Sequence, residues 1–162
     1  MKWKDLFEKW DMQALKIHIP FLEMDWRPED ADKDAAWEMY IELKTRVLTQ
    51  ELAPDRGDEE TALESVYFLF GITREVLKKY ERGCKEFAKI ALVVLNQVVR
   101  PFTAKWHKLK MEGAFKDEKV CQEFRDELSL LQRTLKHYTK MLAVMAGVGE
   151  LIDIENKYST CQ

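Results

Sequence analysis

Glycine and proline are scarce in this chain, with six Gly and four Pro among 162 residues. Because these residues form most tight turns, their scarcity predicts few, long secondary-structure elements. Cysteine is also rare, and Cys84, Cys121 and Cys161 lie far apart without a C-x-x-C pair. This spacing argues against a disulfide framework or a zinc motif. We therefore expect reduced thiols in a cytoplasmic protein.

Long uncharged runs are missing too. The longest, Ile90 to Val99, is about half the length that a membrane span requires. The N-terminus alternates charged and apolar residues and holds no apolar signal-peptide region. We expect no membrane span and a cytoplasmic location. The acid-rich start of the first long helix and the segment RPFTAKWH are typical of a bacterial cytosolic protein.

No familiar catalytic or cofactor motif occurs in the chain. Nucleotide-binding Gly-rich loops, G-x-S-x-G and H-E-x-x-H are absent, and no histidine follows a glutamate at the Glu-x-x-His spacing of di-iron bundles. We predict no catalytic residue, no cofactor and no metal site. The formal net charge of −3 argues against nucleic-acid binding, although Lys105 to Lys110 interleaves lysines with aromatic residues at a helix end.

Four segments carry helical periodicity and are bounded by capping residues, Pro or Gly. They run from Arg27 to about Leu52, from Asp58 to Gly83, from Cys84 to Met111 and from Asp117 to Gly147. Long helices joined by short connections predict an all-α fold, an antiparallel up-down-up-down four-helix bundle over residues 27–149. We expect residues 1–26 to form an N-terminal segment and residues 150–162 a polar tail.

Apolar stripes at helical spacing predict the core. The fourth helix has a heptad-like seam, formed by Val120, Phe124, Leu128, Leu131, Leu135, Tyr138, Leu142 and Met145. In the second helix the stripe includes Tyr67 and is widened by Phe68, and Gly71 is expected to permit close approach of a neighbouring helix. The third helix is apolar all round its middle, so we expect an enclosed central rod with Leu92, Leu95, Val99 and Phe102 in the core.

The N-terminal segment begins with a short amphipathic helix whose aromatic residues share one face. An extended arm is expected from Leu15 to Leu22. The favoured interpretation is that the aromatic face packs on the rest of the chain. The functional alternative makes Trp3, Phe7 and Trp10 partner-binding residues, because aromatic side chains dominate many interfaces. An even mixture of Lys and acids argues against membrane docking.

The sharpest chemical feature is a polar seam on the third helix. Asn96, Arg100, Thr103 and His107 fall at spacings of four, three and four, on one face of the rod. Pro101 lies within the seam, and a kink is expected from Gln97 to Pro101. If Arg46 and Arg74 face the rod as well, the cluster suits an anionic ligand. The structural alternative is that Arg100 pairs with an acid of this chain, namely Glu38, Glu42 or Glu64.

These patterns support two main hypotheses of function. The first is a non-catalytic helical protein–protein interaction module, a small accessory or regulatory subunit that binds another protein or a second copy of itself. The second is a sensor that holds an anionic small molecule at the Arg/His seam. An enzyme of unfamiliar type ranks third.

Overall fold

The computed structural model describes residues 1–10, 12, 18–46 and 58–159. It confirms the all-α prediction: within these residues, the regular elements are helices and one isolated bridge between Lys2 and Asp25. The helices are α1 Trp3–Lys9, α2 Asp30–Thr45, α3 Glu59–Tyr80, α4 Lys85–Val93, α5 Arg100–Met111, α6 Glu118–Met145 and α7 Glu150–Ser159. Much of the predicted arm, the residues after Arg46 up to Gly57, and Cys161 lie outside the described residues.

Side-chain caps start α3 and α6 where the sequence predicts them. Asp58 accepts the backbone N–H of Thr61 at 2.9 Å, and Asp117 accepts that of Lys119 at 2.9 Å. The end of α2 was predicted wrongly, because the helix stops at Thr45 instead of Leu52. Arg46 leaves the helix in an extended conformation.

The predicted rod consists of α4, a π-helix over Val94–Val99 and α5. Within the π turn, the backbone N–H of Arg100 donates to the carbonyl of Leu95, five residues earlier. A proline in a regular helix clashes with the carbonyl four residues before it, and the wider π turn relieves that clash. Pro101 therefore lies in the first turn of α5, where a missing N–H costs little.

Gln97, on the π-helix, holds the N-terminal segment with both ends of its amide. Its Oε1 accepts the backbone N–H of His18 at 2.7 Å, and its Nε2 donates to the His18 carbonyl at 2.5 Å. The His18 side chain is exposed, as predicted. The irregular turn of the rod is thus where the segment after α1 returns to the helices.

A tight 3-10 turn over Glu81–Cys84 joins α3 to α4. A Cβ placed on Gly83 would lie 3.0 Å from the Cβ of Ala31 on α2, closer than side chains normally approach. Gly83 thus permits the close helix contact that was expected at Gly71. Gly71 is different, since nothing lies within 4 Å of a Cβ built there.

Asp32 is a carboxylate that caps two helices at once. The side chain is only 1% exposed. One oxygen accepts the N–H of Glu29 at the start of its own helix, at 2.8 Å, and the other accepts the N–H of Phe87 in the first turn of α4, at 2.9 Å. The residue at the N-cap of α4, Cys84, makes no side-chain cap. Asp32 therefore supplies the missing acceptor from a neighbouring helix.

Contacts between α3 and the rod occur in opposite order along the two elements. Glu64 pairs with Lys110 at 3.9 Å, Tyr67 packs edge-on against His107 at 5.7 Å between centroids, and Phe70 lies under Arg100 at 5.0 Å. Helix α2 contacts α3 and α6, and α6 contacts α5 through the ion pair of Lys105 with Glu127. The Nε1 of Trp106 donates to the other oxygen of Glu127 at 2.8 Å.

The core matches the α6 seam closely and the rod only in part. All seam residues from Phe124 to Met145 are buried, and Val120 is partly buried. On the rod, Val99 and Phe102 are buried and Leu95 is partly buried, but Leu92 is 44% exposed, so the rod is not enclosed on every side. Residues 150–159 form helix α7, with Ile152 buried, where a polar tail was expected.

One stretch, Glu59–Met111, is long and apolar enough to cross a membrane by length and composition. In its most apolar window 44% of the residues are buried inside the protein. Core helices of soluble proteins meet the same criteria, so the predictions of no membrane span and a cytoplasmic location remain predictions.

Candidate functional site

An open groove between α3 and α5 is the most distinctive surface of the described residues. It has a volume of roughly 660 Å³, and its lining residues are Leu63, Glu64, Tyr67, Phe68, Gly71, His107 and Lys110. Tyr67 is 39% exposed and Phe68 is 58% exposed. Both had been predicted to belong to the buried side of α3. Two large aromatic side chains therefore face solvent beside each other.

Gly71 keeps the floor of the groove open. It lies four residues after Tyr67 and three after Phe68, so the three share one face of α3. Glycine in a helix interior costs roughly 0.5–1 kcal/mol relative to alanine. Among the described residues no neighbouring helix requires the missing side chain, because none of their atoms lies within 4 Å of a Cβ built at Gly71. The absent side chain leaves room for something that is not part of the described chain.

Three of the predicted ligand-binding residues pack on aromatic rings of one short segment of α3, Tyr67–Phe70, here called the aromatic segment. The Arg46 guanidinium lies 5.2 Å from the centroid of Phe68. Arg100 lies 5.0 Å from the centroid of Phe70, and the His107 ring packs edge-on against Tyr67. Contacts of a cation with an aromatic face are favourable by about 0.5–1 kcal/mol at exposed sites. Arg46 at the end of α2 and Arg100 and His107 of the rod thus pack on the same aromatic segment.

The polar seam does not form a single cluster. Arg100 donates from Nε and Nη2 to the Oδ1 of Asn96, at 3.1 and 3.0 Å. Both residues are exposed. Thr103 is buried and its hydroxyl donates to the carbonyls of Val99 and Arg100, so it serves the helix itself. His107 is the seam residue that lines the groove.

Arg100 is exposed, and the alternative in which it pairs with an acid of this chain was wrong. Among the described residues no carboxylate lies within ion-pair distance of Arg100, and the three candidate acids pair with other groups. Glu38 pairs with Lys79, Glu42 with Arg46, and Glu64 with Lys110. An exposed guanidinium needs no buried counter-charge, because water and the Asn96 amide solvate it.

Arg46 packs on Phe68 of the aromatic segment, whereas Arg100 packs on Phe70. Arg46 donates from Nε to Glu42 at 2.8 Å as it packs on Phe68. Arg74 is exposed, and its spacing of four from Phe70 places it on the side of α3 that faces the rod. Arg46 thus packs on the aromatic segment, and Arg74 lies one helical turn beyond it on α3.

The aromatic N-terminal helix is part of the core. Trp3 and Phe7 are 0% exposed, Trp10 is half-buried, and the Trp3 indole donates to Glu86 on α4 at 3.0 Å. Phe21 packs edge-on against Trp3 at 4.9 Å between centroids. The structure shows the packing alternative, and Trp3 and Phe7 offer no exposed face to a partner. Trp3 and Phe7, which the functional alternative made partner-binding residues, are core residues in this structure.

Two titratable side chains near α2 have shifted pKa values, Cys84 and Glu38. Burial, together with the nearby Asp32 carboxylate, raises the pKa of the Cys84 thiol. Desolvation acts to raise the pKa of Glu38, but hydrogen bonds from Lys79 and Tyr80 outweigh it and hold that pKa below its usual value. Among the described residues no three His, Cys, Asp or Glu side chains lie close enough together to hold a metal ion.

Comparison of the chain with family models, with curated proteins and with solved structures gives no match. The groove therefore has to be interpreted from its own chemistry.

Sequence reasoning missed Tyr67, Phe68 and Gly71 as site residues. Helical periodicity identifies an apolar stripe but not its edges, and the two aromatic residues lie at the edge of the stripe on α3. The usable signal was the combination of Gly71 in mid-helix with an aromatic residue three and four positions before it.

Proposed function

We propose that this protein is a non-catalytic interaction module, a small accessory or regulatory subunit that binds a helix of another protein in the groove between α3 and α5. The observation that carries the proposal is Gly71, which leaves open space on the same helix face as the exposed Tyr67 and Phe68. Large exposed aromatic side chains beside a groove are typical of sites that accept the apolar face of a partner helix.

The proposal includes an up-down-up-down arrangement of four antiparallel elements, α2, α3, the rod and α6. It is supported by the opposite order of the pairs Glu64 with Lys110 and Phe70 with Arg100. On α2 and α3, Glu38 pairs with Lys79 while Arg46 packs on Phe68, again in opposite order. This arrangement gives the groove two rigid helical walls, and rigid walls lower the entropy cost of binding.

The test is site-specific photo-cross-linking in the cells that produce the protein. A photoreactive phenylalanine analogue replaces Phe68, and in a matched control it replaces Leu130, which is 60% exposed on α6. We expect one protein, identified by its cross-linked peptides, to be captured from position 68 and not from position 130. Adding Gly71→Leu should fill the groove and remove the cross-link. Equal capture from both positions, or capture that survives Gly71→Leu, would refute the proposal.

A second candidate function is supported by His107 and Lys110, which bring positive or polar groups to a lining that otherwise consists of apolar and aromatic residues, Gly71 and Glu64. The groove volume is within the range of small-molecule sites. In this alternative the protein is a sensor that binds an anionic small molecule with an apolar tail. Arg100 packs on Phe70 and is not a lining residue, so the seam as a whole does not form the site. Titration with laurate separates the alternatives: a rise in melting temperature that Gly71→Leu abolishes would favour the sensor.

A further inference from the structure

The charge around the groove differs from that of the whole chain. The formal net charge of the protein is −3, and α2 alone carries five acids against two lysines. Helix α5, which forms one wall, has four Lys or Arg side chains, one His and no acid. The other wall contributes Arg74 beyond the aromatic segment. Lys105 is paired with Glu127 on α6, so Arg100, Lys108 and Lys110 make the α5 side of the groove basic on a protein of negative net charge.

Several of these cations are available to an outside anion. Among the described residues, neither Arg100 nor Arg74 has a carboxylate within ion-pair distance, and the Arg100 guanidinium is bonded only to the neutral amide of Asn96. Lys110 lies 3.9 Å from Glu64, at the limit of an ion pair, and the Glu64 side chain is 69% exposed. Among the described residues that line the groove, Glu64 is the one acid. A partner carboxylate can replace it at Lys110 without leaving a buried charge.

Besides negative charge, the apolar part of the groove sets a second requirement for a binding partner. Tyr67 and Phe68 point out of α3 on either side of Gly71 on the helix surface, so the open space lies between two aromatic surfaces. Met111, four residues after His107 on the same side of α5, is 75% exposed and extends the apolar surface at the end of the groove. A partner must therefore offer large apolar side chains along one face and carboxylates beside them.

We infer that the groove binds an acidic amphipathic helix of a partner protein, with its apolar residues over Gly71 between Tyr67 and Phe68, and its carboxylates at Arg74, Arg100 and Lys110. This inference rests on the proposed function and specifies the chemistry of the partner. Charge complementarity of this kind speeds association and selects among partners more than it adds affinity. A basic or neutral amphipathic helix fills the same groove without those contacts.

The test is selection of peptides of about 20 residues, roughly 30 Å long as helices, from a random displayed library on the immobilised full-length protein. Peptides that also bind the Gly71→Leu variant are removed. We expect the remaining sequences to combine apolar residues at helical spacing with a clear excess of Asp and Glu. Their affinity should fall at least about tenfold between 0.1 M and 1 M NaCl, because salt screens exposed charges.

Charge variants give the matched controls. Arg100→Gln and Arg74→Gln should each weaken binding of the selected peptides about two- to fivefold. Arg133→Gln, an exposed cation on α6, should leave it unchanged. All three substitutions are at exposed positions, and melting curves check that the fold is intact.

The outcomes separate this inference from the proposed function. Groove-dependent peptides that are neutral or basic would overturn the inference and leave the interaction module standing. If the selection enriches no peptide whose binding depends on Gly71, both the inference and the proposed function are overturned. A concentration-dependent dimer that Gly71→Leu abolishes would assign the groove to a second copy of the chain and also overturn the inference.

Discussion

Asp32→Ala is expected to be among the most destabilising single substitutions of a charged residue in the protein. It removes the acceptor of two backbone N–H groups, those of Glu29 at 2.8 Å and Phe87 at 2.9 Å, from a position that is 1% exposed. Hydrogen bonds to a charged group contribute roughly 1.5–3 kcal/mol each, and a buried donor left unpaired costs a similar amount. Water entering the space left by the carboxylate recovers part of this loss. We expect a loss of about 3 kcal/mol.

Asp32→Asn separates the two caps. The amide oxygen can still accept one N–H, but the NH₂ group then faces the second N–H, donor against donor. The expected loss is therefore about half of that for alanine, roughly 1.5 kcal/mol. The matched control is Asp34→Ala, which removes the same charge from an exposed position of the same helix and should cost less than about 0.5 kcal/mol.

Urea unfolding followed by circular dichroism measures these free energies. For a chain of this length a loss of 3 kcal/mol corresponds to a fall in melting temperature of about 6–12 °C. Amide hydrogen exchange adds a local measurement, because the Phe87 N–H should exchange faster in Asp32→Ala relative to the rest of α4. Equal losses for Asp32→Ala and Asp34→Ala, with unchanged exchange at Phe87, would show that the carboxylate does not cap α4.

Three further predictions concern glycine, the N-terminal helix and cysteine. Gly71→Ala should raise the free energy of unfolding by about 0.5–1 kcal/mol. Gly83→Ala should lower it, since the new Cβ would lie 3.0 Å from that of Ala31. A change of the same sign in the free energy of unfolding for both variants, measured by urea unfolding, would contradict this. Trp3→Ala should cost about 3–5 kcal/mol in the same assay because Trp3 is fully buried, and a loss below 1 kcal/mol would return it to the partner-binding hypothesis. At pH 8, Cys84 should react with iodoacetamide at least about tenfold more slowly in the native protein than in urea, because burial shields the thiol from the reagent and raises its pKa. Peptide mass spectrometry locates the modified residue, and equal rates of modification in the two conditions would refute the prediction.

Elements that depend on one long, regular signal could be predicted from the sequence. The α6 seam spans seven helical turns, so errors at single residues cancel, and its residues from Phe124 to Met145 are all buried. Caps were predicted equally well at Asp58 and Asp117, because a capping carboxylate acts on backbone groups two or three residues away. The α6 seam and these helix caps depend on residues close together in the chain, so the sequence alone predicts them.

Features that depend on neighbouring elements could not be predicted in the same way. The end of α2 at Thr45 and the exposure of Leu92 depend on where other segments pack, which periodicity does not encode. Pro101 marked the position of the irregular turn, but not that it is a π-helix. The partners of Arg100 required knowing that Glu38, Glu42 and Glu64 are each held by another cation. Each of these features is determined by tertiary contacts, which have no sequence signature of their own.

The wrong predictions on α3 differ from these, because they concern residues that lie together on one short stretch of the helix. Tyr67 and Phe68 are apolar but exposed, and Gly71 weakens the helix where no neighbour needs the space. Each departure costs stability or solubility, and a sequence under selection for folding alone has no reason to place three within five residues. Local choices that disagree with the fold concentrate at functional sites, where binding compensates for their cost. The coincidence of these departures with Arg46, Arg100 and His107 is the strongest reason to look for a partner at this surface.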